Sequence, residues 1–124
     1  MEKKYYKCER CGQIIEKVKD TAVPIICCGA IMQELVAGAV DAAVEKHVPA
    51  YQKIGNIVNV KIASVEHPMT PEHYIEWICL ETKNGSQTKK LSPTDKPEAN
   101  FYVAEDDEVV AVYEYCNLHG LWKA

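Results

Sequence analysis

The sequence predicts a mainly β protein in two parts, a small cysteine-stapled metal module followed by a β-sandwich. Three observations predict it. Four of the six cysteines fall at or before Cys28. Beyond about residue 40, short runs rich in β-branched and aromatic residues alternate with turn signals, the spacing of a sandwich. The one helical candidate, Ala39 to Lys46, is short and runs into Pro49.

A chain of 124 residues suits one ordinary domain, or a stapled module plus a sandwich-sized one. Its 48% hydrophobic content is enough for a packed core. A net charge of −4 and a pI near 5.5 argue against nucleic acid or an anionic membrane as partner, since both need a basic face. No apolar run approaches the roughly 20 residues of a membrane helix. The opening Met1-Glu2-Lys3-Lys4-Tyr5-Tyr6 lacks the apolar region of a signal peptide. The expectation is a cytoplasmic protein, in which cysteines serve as metal ligands or spare thiols rather than a disulfide framework.

The module occupies residues 1–37 and the sandwich 38–124. In the module, Cys8-Glu9-Arg10-Cys11-Gly12 reads as a metal knuckle and Cys27-Cys28-Gly29 follows Pro24-Ile25-Ile26; Gln13 to Asp20 between them is a short strand and a turn. So small a piece has too little core to fold without a staple. The link Val36-Ala37-Gly38-Ala39 reads as extended. The sandwich strands are expected at Asn56–Val65, Tyr74–Glu81, Gln87–Leu91, Asn100–Ala104 and Val109–Tyr115. Lys83-Asn84-Gly85-Ser86 carries Asn-Gly, a hairpin turn signal, between the second and third. Ser92 to Pro97 is a loop, and Glu105-Asp106-Asp107-Glu108 an acidic turn.

Four thiolates at Cys8, Cys11, Cys27 and Cys28 can close a tetrahedral site that zinc or iron would accept. The adjacent pair Cys27-Cys28 lacks the usual spacer, so one sulfur–metal–sulfur angle should depart from tetrahedral. Structural zinc and free thiols are the plainer alternatives, and spacing does not choose the metal.

The second constellation is assembled from the four histidines, His47, His67, His73 and His119, with Cys116. Cys116-Asn117-Leu118-His119-Gly120 closes the last strand with a thiol, an imidazole three residues on, and a glycine to turn the backbone. His67 precedes Pro68, Pro49 lies two residues after His47, and Pro71 stiffens the loop before His73. Alone, each histidine is more simply a surface or core residue. Together they all sit in or beside turns. If they converge, five protein ligands suit zinc poorly. Four imidazoles in a plane with an axial thiolate suit iron, with the position opposite sulfur left open. Cys79, mid-strand between Ile78 and Leu80, reads as a small buried residue without chemistry.

These motifs resemble those of the two-iron superoxide reductases, or desulfoferrodoxins, over essentially the whole chain. Cys8-x-x-Cys11-Gly12 with Cys27-Cys28-Gly29 is similar to the desulforedoxin module. Glu45-Lys46-His47-Val48-Pro49, the His67-Pro68 to His73 loop and the Cys116 to Gly120 turn are similar to the catalytic domain's motifs. The resemblance implies a rubredoxin-like FeS4 iron in a desulforedoxin-like module and a mononuclear iron in an immunoglobulin-like sandwich. It implies equatorial imidazoles, axial Cys116, Glu45 on the sixth position of the oxidised resting state, and Lys46 beside that position. It implies reduction of superoxide to hydrogen peroxide without oxygen release, rubredoxin as electron donor, and a homodimer. A non-catalytic iron electron-transfer protein and a zinc-stapled binding module are the competing classes.

Overall fold

A computed structural model of the chain describes residues 3–39, 44–63 and 67–124, apart from the side chain of Glu45. The chain divides into two compact units, Met1–Val36 and Ala37–Ala124.

The first unit is built from very short strands: β1 (Tyr5–Lys7), β2 (Ile14–Glu16), β3 (Ile26–Cys27), β4 (Ala30–Ile31) and β5 (Gln33–Glu34). They form a three-stranded sheet, β2-β1-β5, and a two-stranded ribbon, β3-β4. Tyr5, Cys8 and Met32 are its buried apolar residues, while Val18, Val23, Ile26 and Ile31 are exposed. A core this small cannot offset the entropy of ordering the chain. The expected strand within Gln13–Asp20 is β2, and the turn after it is held by the Asp20 carboxylate, which accepts from the Ala22 amide at 2.8 Å.

The second unit holds β6 (Pro49–Ile54), β7 (Ile57–Ile62), β8 (Ile75–Thr82), β9 (Gly85–Lys90), β10 (Glu98–Tyr102), β11 (Val109–Cys116) and β12 (Gly120–Lys123). Three strands pair in the order β10-β7-β6 and four in the order β12-β11-β8-β9, all antiparallel. Between the sheets lies one core of Val58, Val60 and Ile62 from β7, Ile78 and Leu80 from β8, Phe101 from β10, and Val112 and Cys116 from β11. This is the sandwich that strand spacing implied: alternate residues of each sheet face inward and bury against the other.

Five expected strands correspond to β7 to β11, with ends shifted by up to three residues. Strands β6 and β12 are additional to those the sequence pattern predicts. Pro49 opens β6, the edge position where a residue without an N–H is tolerated. The far end of the expected Asn56–Val65 strand, residues 64 and 65, lies outside the described residues, as do residues 40–43 of the helical alternative. The remainder of that alternative is a single 3-10 turn, Val44–Lys46.

Two local expectations are corrected. The link does not run extended: Ala37 and Gly38 form a turn, Gly38 has φ of 71°, and its N–H donates to the Leu121 carbonyl at 2.8 Å. The hairpin forms, but its two loop residues are Lys83 and Asn84, because Thr82 pairs with Gly85. The acidic turn imposes that register. The Asp107 carboxylate accepts from the Asn84 amide at 3.2 Å, and the Lys83 amide donates to the Glu108 carbonyl at 3.0 Å. Tertiary contacts thus outweigh the local preference of Asn-Gly for the centre of a turn.

Candidate metal centres

In the first unit, β1 delivers Cys8 and a tight turn returns Cys11. The Gly12 amide donates to the Cys8 carbonyl at 2.9 Å, and Gly12 takes φ of 81°. On the other side Cys27 ends β3. Cys28 and Gly29 follow with φ of 52° and 75°. Two successive left-handed residues reverse the chain within one step, and this lets adjacent cysteines face one point. The Cys11 and Cys27 sulfurs are 3.7 Å apart and those of Cys27 and Cys28 are 4.0 Å apart. Sulfurs at tetrahedral corners about 2.3 Å from a metal stand about 3.8 Å apart. The donor set fits, and the adjacent pair is the wider one.

The Cys11 backbone amide, first among the causes, draws the Cys8 thiol down to about 6. Its sulfur neighbours push Cys27 up to about 12, with Cys8 the largest contributor. Four clustered sulfurs resist becoming four thiolates unless a cation neutralises them.

In the second unit the strands end where the histidines stand. The 3-10 turn places His47, whose amide donates to the Val44 carbonyl at 3.0 Å. His73 sits in a closed turn in which Thr70 and His73 exchange backbone hydrogen bonds of 2.9 and 3.1 Å. Cys116 ends β11. There the ladder slips by one residue, from Tyr115 opposite Trp77 to Cys116 opposite Ile75. Such an irregularity re-aims the side chain beside it. Gly120, with φ of 79°, pairs with Cys116 and closes the turn that carries His119.

The four imidazoles form a closed ring. Centroid distances around it are 4.7 Å from His47 to His67, 4.7 Å to His73, 5.0 Å to His119 and 4.8 Å back to His47. Each ring is nearly perpendicular to the next, at 78° to 87°. His47 Nε2 lies 3.2 Å from His67 Nε2 and 3.0 Å from His119 Nδ1, and Cys116 Sγ is 3.9 Å from that same Nδ1. His73 Nε2 is buried with no hydrogen-bond partner among the described residues. Nitrogens at right angles about 2.1 Å from one metal stand about 3.0 Å apart. The spacing, the orphaned nitrogen and the donor set of four imidazoles and one thiol all fit a bound iron. One ligand atom from each of the five residues falls within 4.8 Å of every other, and the same holds for the four cysteines.

The surroundings favour neutral imidazoles. Burial brings His67 down to about 4, and its Nδ1 lies 2.7 Å from the Pro68 carbonyl. Donation there leaves Nε2 with a lone pair facing inward. Burial also lowers His73, helped by His119, His47 and the Lys46 ammonium. Burial raises the Cys116 thiol, opposed by the Leu118 and His119 amides. Cys79 is buried mid-strand, as expected.

Three comparisons bear on this arrangement. The family model described as desulfoferrodoxin matches residues 39–124. The chain belongs to the desulfoferrodoxin family. Desulfoferrodoxins from Syntrophotalea carbinolica and Nitratidesulfovibrio vulgaris are 46% and 47% identical over 119 residues, 96% of this chain and 93% of theirs. The crystal structure of the superoxide reductase from Treponema pallidum superimposes with a TM-score of 0.85 at 39% identity, covering 100% of this chain and 99% of that one. A one-iron superoxide reductase from Giardia intestinalis matches 64% of this chain and 95% of its own, with a TM-score of 0.53 and 35% identity. This desulfoferrodoxin chain therefore carries two residue groups that could hold two irons, one of four cysteines and one of four histidines with a cysteine.

The structure brings together all nine metal ligands expected from the sequence, in two groups. Lys46 is exposed in the 3-10 turn, and the Glu45 side chain lies outside the described residues. Sequence reasoning passes over three neighbours. Trp122 stacks on His47 at 4.9 Å and donates from its indole N–H to the His119 carbonyl at 3.0 Å. Asn117 stands within the Cys116 to Gly120 motif with no role evident from spacing, yet its side chain bonds the backbone around His73. Glu114 lies two residues before Cys116. Its carboxyl is wholly buried, without a partner among the described residues, and burial pushes it up to about 9, so it is a neutral acid at pH 7. An acidic residue two positions before the thiol, inside an apolar run, is the signal available.

Proposed function

We propose that this chain is a superoxide reductase that converts superoxide to hydrogen peroxide, taking up one electron and two protons and releasing no oxygen. One observation carries the reading: four imidazoles ring a point that Cys116 also reaches, a donor set that would hold iron and leave room for one further ligand. Iron bound there supplies a one-electron couple at that position.

The protein's own residues do the rest. His47, His67, His73 and His119 hold the metal as neutral ligands, and Cys116 supplies an anionic sulfur from the core. Lys46 Nζ carries the positive charge that draws superoxide toward an otherwise acidic protein. Water organised at Lys46 Nζ delivers protons to the product. Glu45, beside Lys46 in the sequence, would be the carboxylate available to close the site of the oxidised resting protein to other anions.

Cys8, Cys11, Cys27 and Cys28 hold a rubredoxin-like FeS4 iron in a desulforedoxin-like module, residues 1–37, ahead of the catalytic domain, residues 38–124. Rubredoxin serves as electron donor, and the protein works as a cytoplasmic homodimer. Among the described residues no helix is long and apolar enough to cross a membrane.

The test is a pulse of superoxide into fully reduced protein, with peroxide and oxygen both quantified. One peroxide per superoxide with no oxygen is the expected result. Half as much peroxide with oxygen evolved identifies a dismutase. Superoxide decay no faster than in buffer leaves an electron-transfer protein.

A further inference from the structure

The His73 ring is placed differently from its neighbours. His67 has the Pro68 carbonyl at its outer nitrogen, and His47 has the indole of Trp122 against its face. Among the described residues no hydrogen bond reaches the His73 ring, and its buried Nε2 has no partner. Its attachment is held from the backbone. The peptide planes on either side of a residue fix its φ and ψ, and with them the direction of the Cα–Cβ bond from which χ1 and χ2 aim the ring.

Both planes around His73 are held. On one side, the Thr70 carbonyl accepts from the His73 amide at 3.1 Å, and the Thr70 amide donates to the His73 carbonyl at 2.9 Å. On the other side a single side chain does the same work. Asn117 Nδ2 donates to the Glu72 carbonyl at 3.0 Å, and Asn117 Oδ1 accepts from the Tyr74 amide at 3.0 Å. The Asn117 amide also donates to the Tyr74 carbonyl at 3.2 Å, continuing the β8–β11 ladder past Cys116 and Ile75. A carboxamide can do this because it presents one donor and one acceptor in the geometry of a peptide group.

Asn117 immediately follows Cys116 and stands two residues before His119. We infer that Asn117 is the positioning residue that sets His73 against Cys116 and His119, so that three of the five ligands move as one piece. Its carboxamide touches neither metal nor substrate. It acts through His73. The inference rests on the metal reading of this centre and adds a residue to it.

The experiment uses the full-length, iron-loaded protein in its reduced state, with a ferrous chelator withdrawing iron from the histidine-ringed centre. Far-ultraviolet circular dichroism of the β-sandwich and its urea midpoint report that the second unit remains folded. Asn117→Ala removes both clamp bonds and should release iron roughly 10- to 100-fold faster than the parent. Asn117→Asp keeps the acceptor for Tyr74 but sets an oxygen against the Glu72 carbonyl, and should also release faster. In a His73→Ala background, Asn117→Ala should add nothing, because the ligand through which it acts is gone. An unchanged release rate, or acceleration that multiplies in full upon that of His73→Ala, overturns the inference. If the alanine variant fails to fold, the aspartate variant is judged by the same two criteria. Parent protein that takes up only one iron overturns the metal reading itself. Two irons in the parent with unchanged release from the variants overturn only the role of Asn117.

Discussion

Cys116 and Lys46 differ in how much of their role depends on burial. Cys116 is fully buried in the sandwich core, and backbone amides of Leu118 and His119 point at its sulfur. A thiolate there is stabilised only by those amides and by a metal. Cys116→Ser should therefore abolish the sulfur-to-iron absorption of the second centre while that of the four-cysteine centre remains; a surviving band would mean another residue supplies the sulfur. Lys46 is exposed, so its charge acts through solvent and is screened by salt. Lys46→Ala should slow the second-order reaction with superoxide by about tenfold at low ionic strength and flatten its salt dependence. An unchanged rate and slope would remove Lys46 from the encounter.

At the scale of elements, the end of the β8–β9 hairpin depends on Asp107. The Thr82 hydroxyl, then the Glu108 and Asn84 amides, hold its carboxyl below its ordinary value of 3.8. A carboxylate depressed on folding stabilises the folded state above its unfolded value, and that contribution is lost as pH falls below about 3.8 toward the lower folded value. Asp107→Asn should accordingly show a shallower loss of stability between neutral pH and about pH 3, read as the urea midpoint of the second unit. An acid limb as steep as the parent's would place the titrating group elsewhere. The same element shows why Asn84-Gly85 misleads by one residue. Its intrinsic preference is a local term, whereas Asp107 and Glu108 reach the turn from a distant segment and set the register. Strands β6 and β12 are illegible in the sequence for a related reason. The exposed residues of β6 follow a histidine–proline loop, and the four residues of β12 become a strand only by pairing with β11.

For the whole molecule, the two units differ in what holds them. The first has Tyr5, Cys8 and Met32 as its buried apolar residues, whereas the second packs a continuous core between two sheets. Metal binding is then folding energy for the first unit and not for the sandwich. Cys8→Ser should erase the absorption of the four-cysteine centre and collapse amide dispersion for residues 3–36, with signals from 67–124 unmoved. Superoxide turnover, supplied with electrons directly, should stay within about twofold of the parent, since each centre is built from one unit's own ligands. Loss of turnover would make the first iron an obligate relay.

The sequence alone determined the ligand inventory and the mainly β architecture. Cysteine and histidine are few enough, and turn-associated enough, for their chemistry to be read without coordinates. It also left Glu45 and Lys46 as candidates through resemblance alone. Only the tertiary structure decided that His119 presents Nδ1 where His47 and His67 present Nε2, and that the rings follow one another in the order His47, His67, His73, His119. It alone placed Trp122 against the His47 ring, Asn117 on the backbone flanking His73 and Glu114 inside the core. The reason is physical. Which residues can bind a metal is a property of side-chain chemistry, which one-dimensional spacing preserves. Which atom they present depends on pairing register and on contacts between residues as far apart as His47 and His119, and these exist only once the sheets have closed.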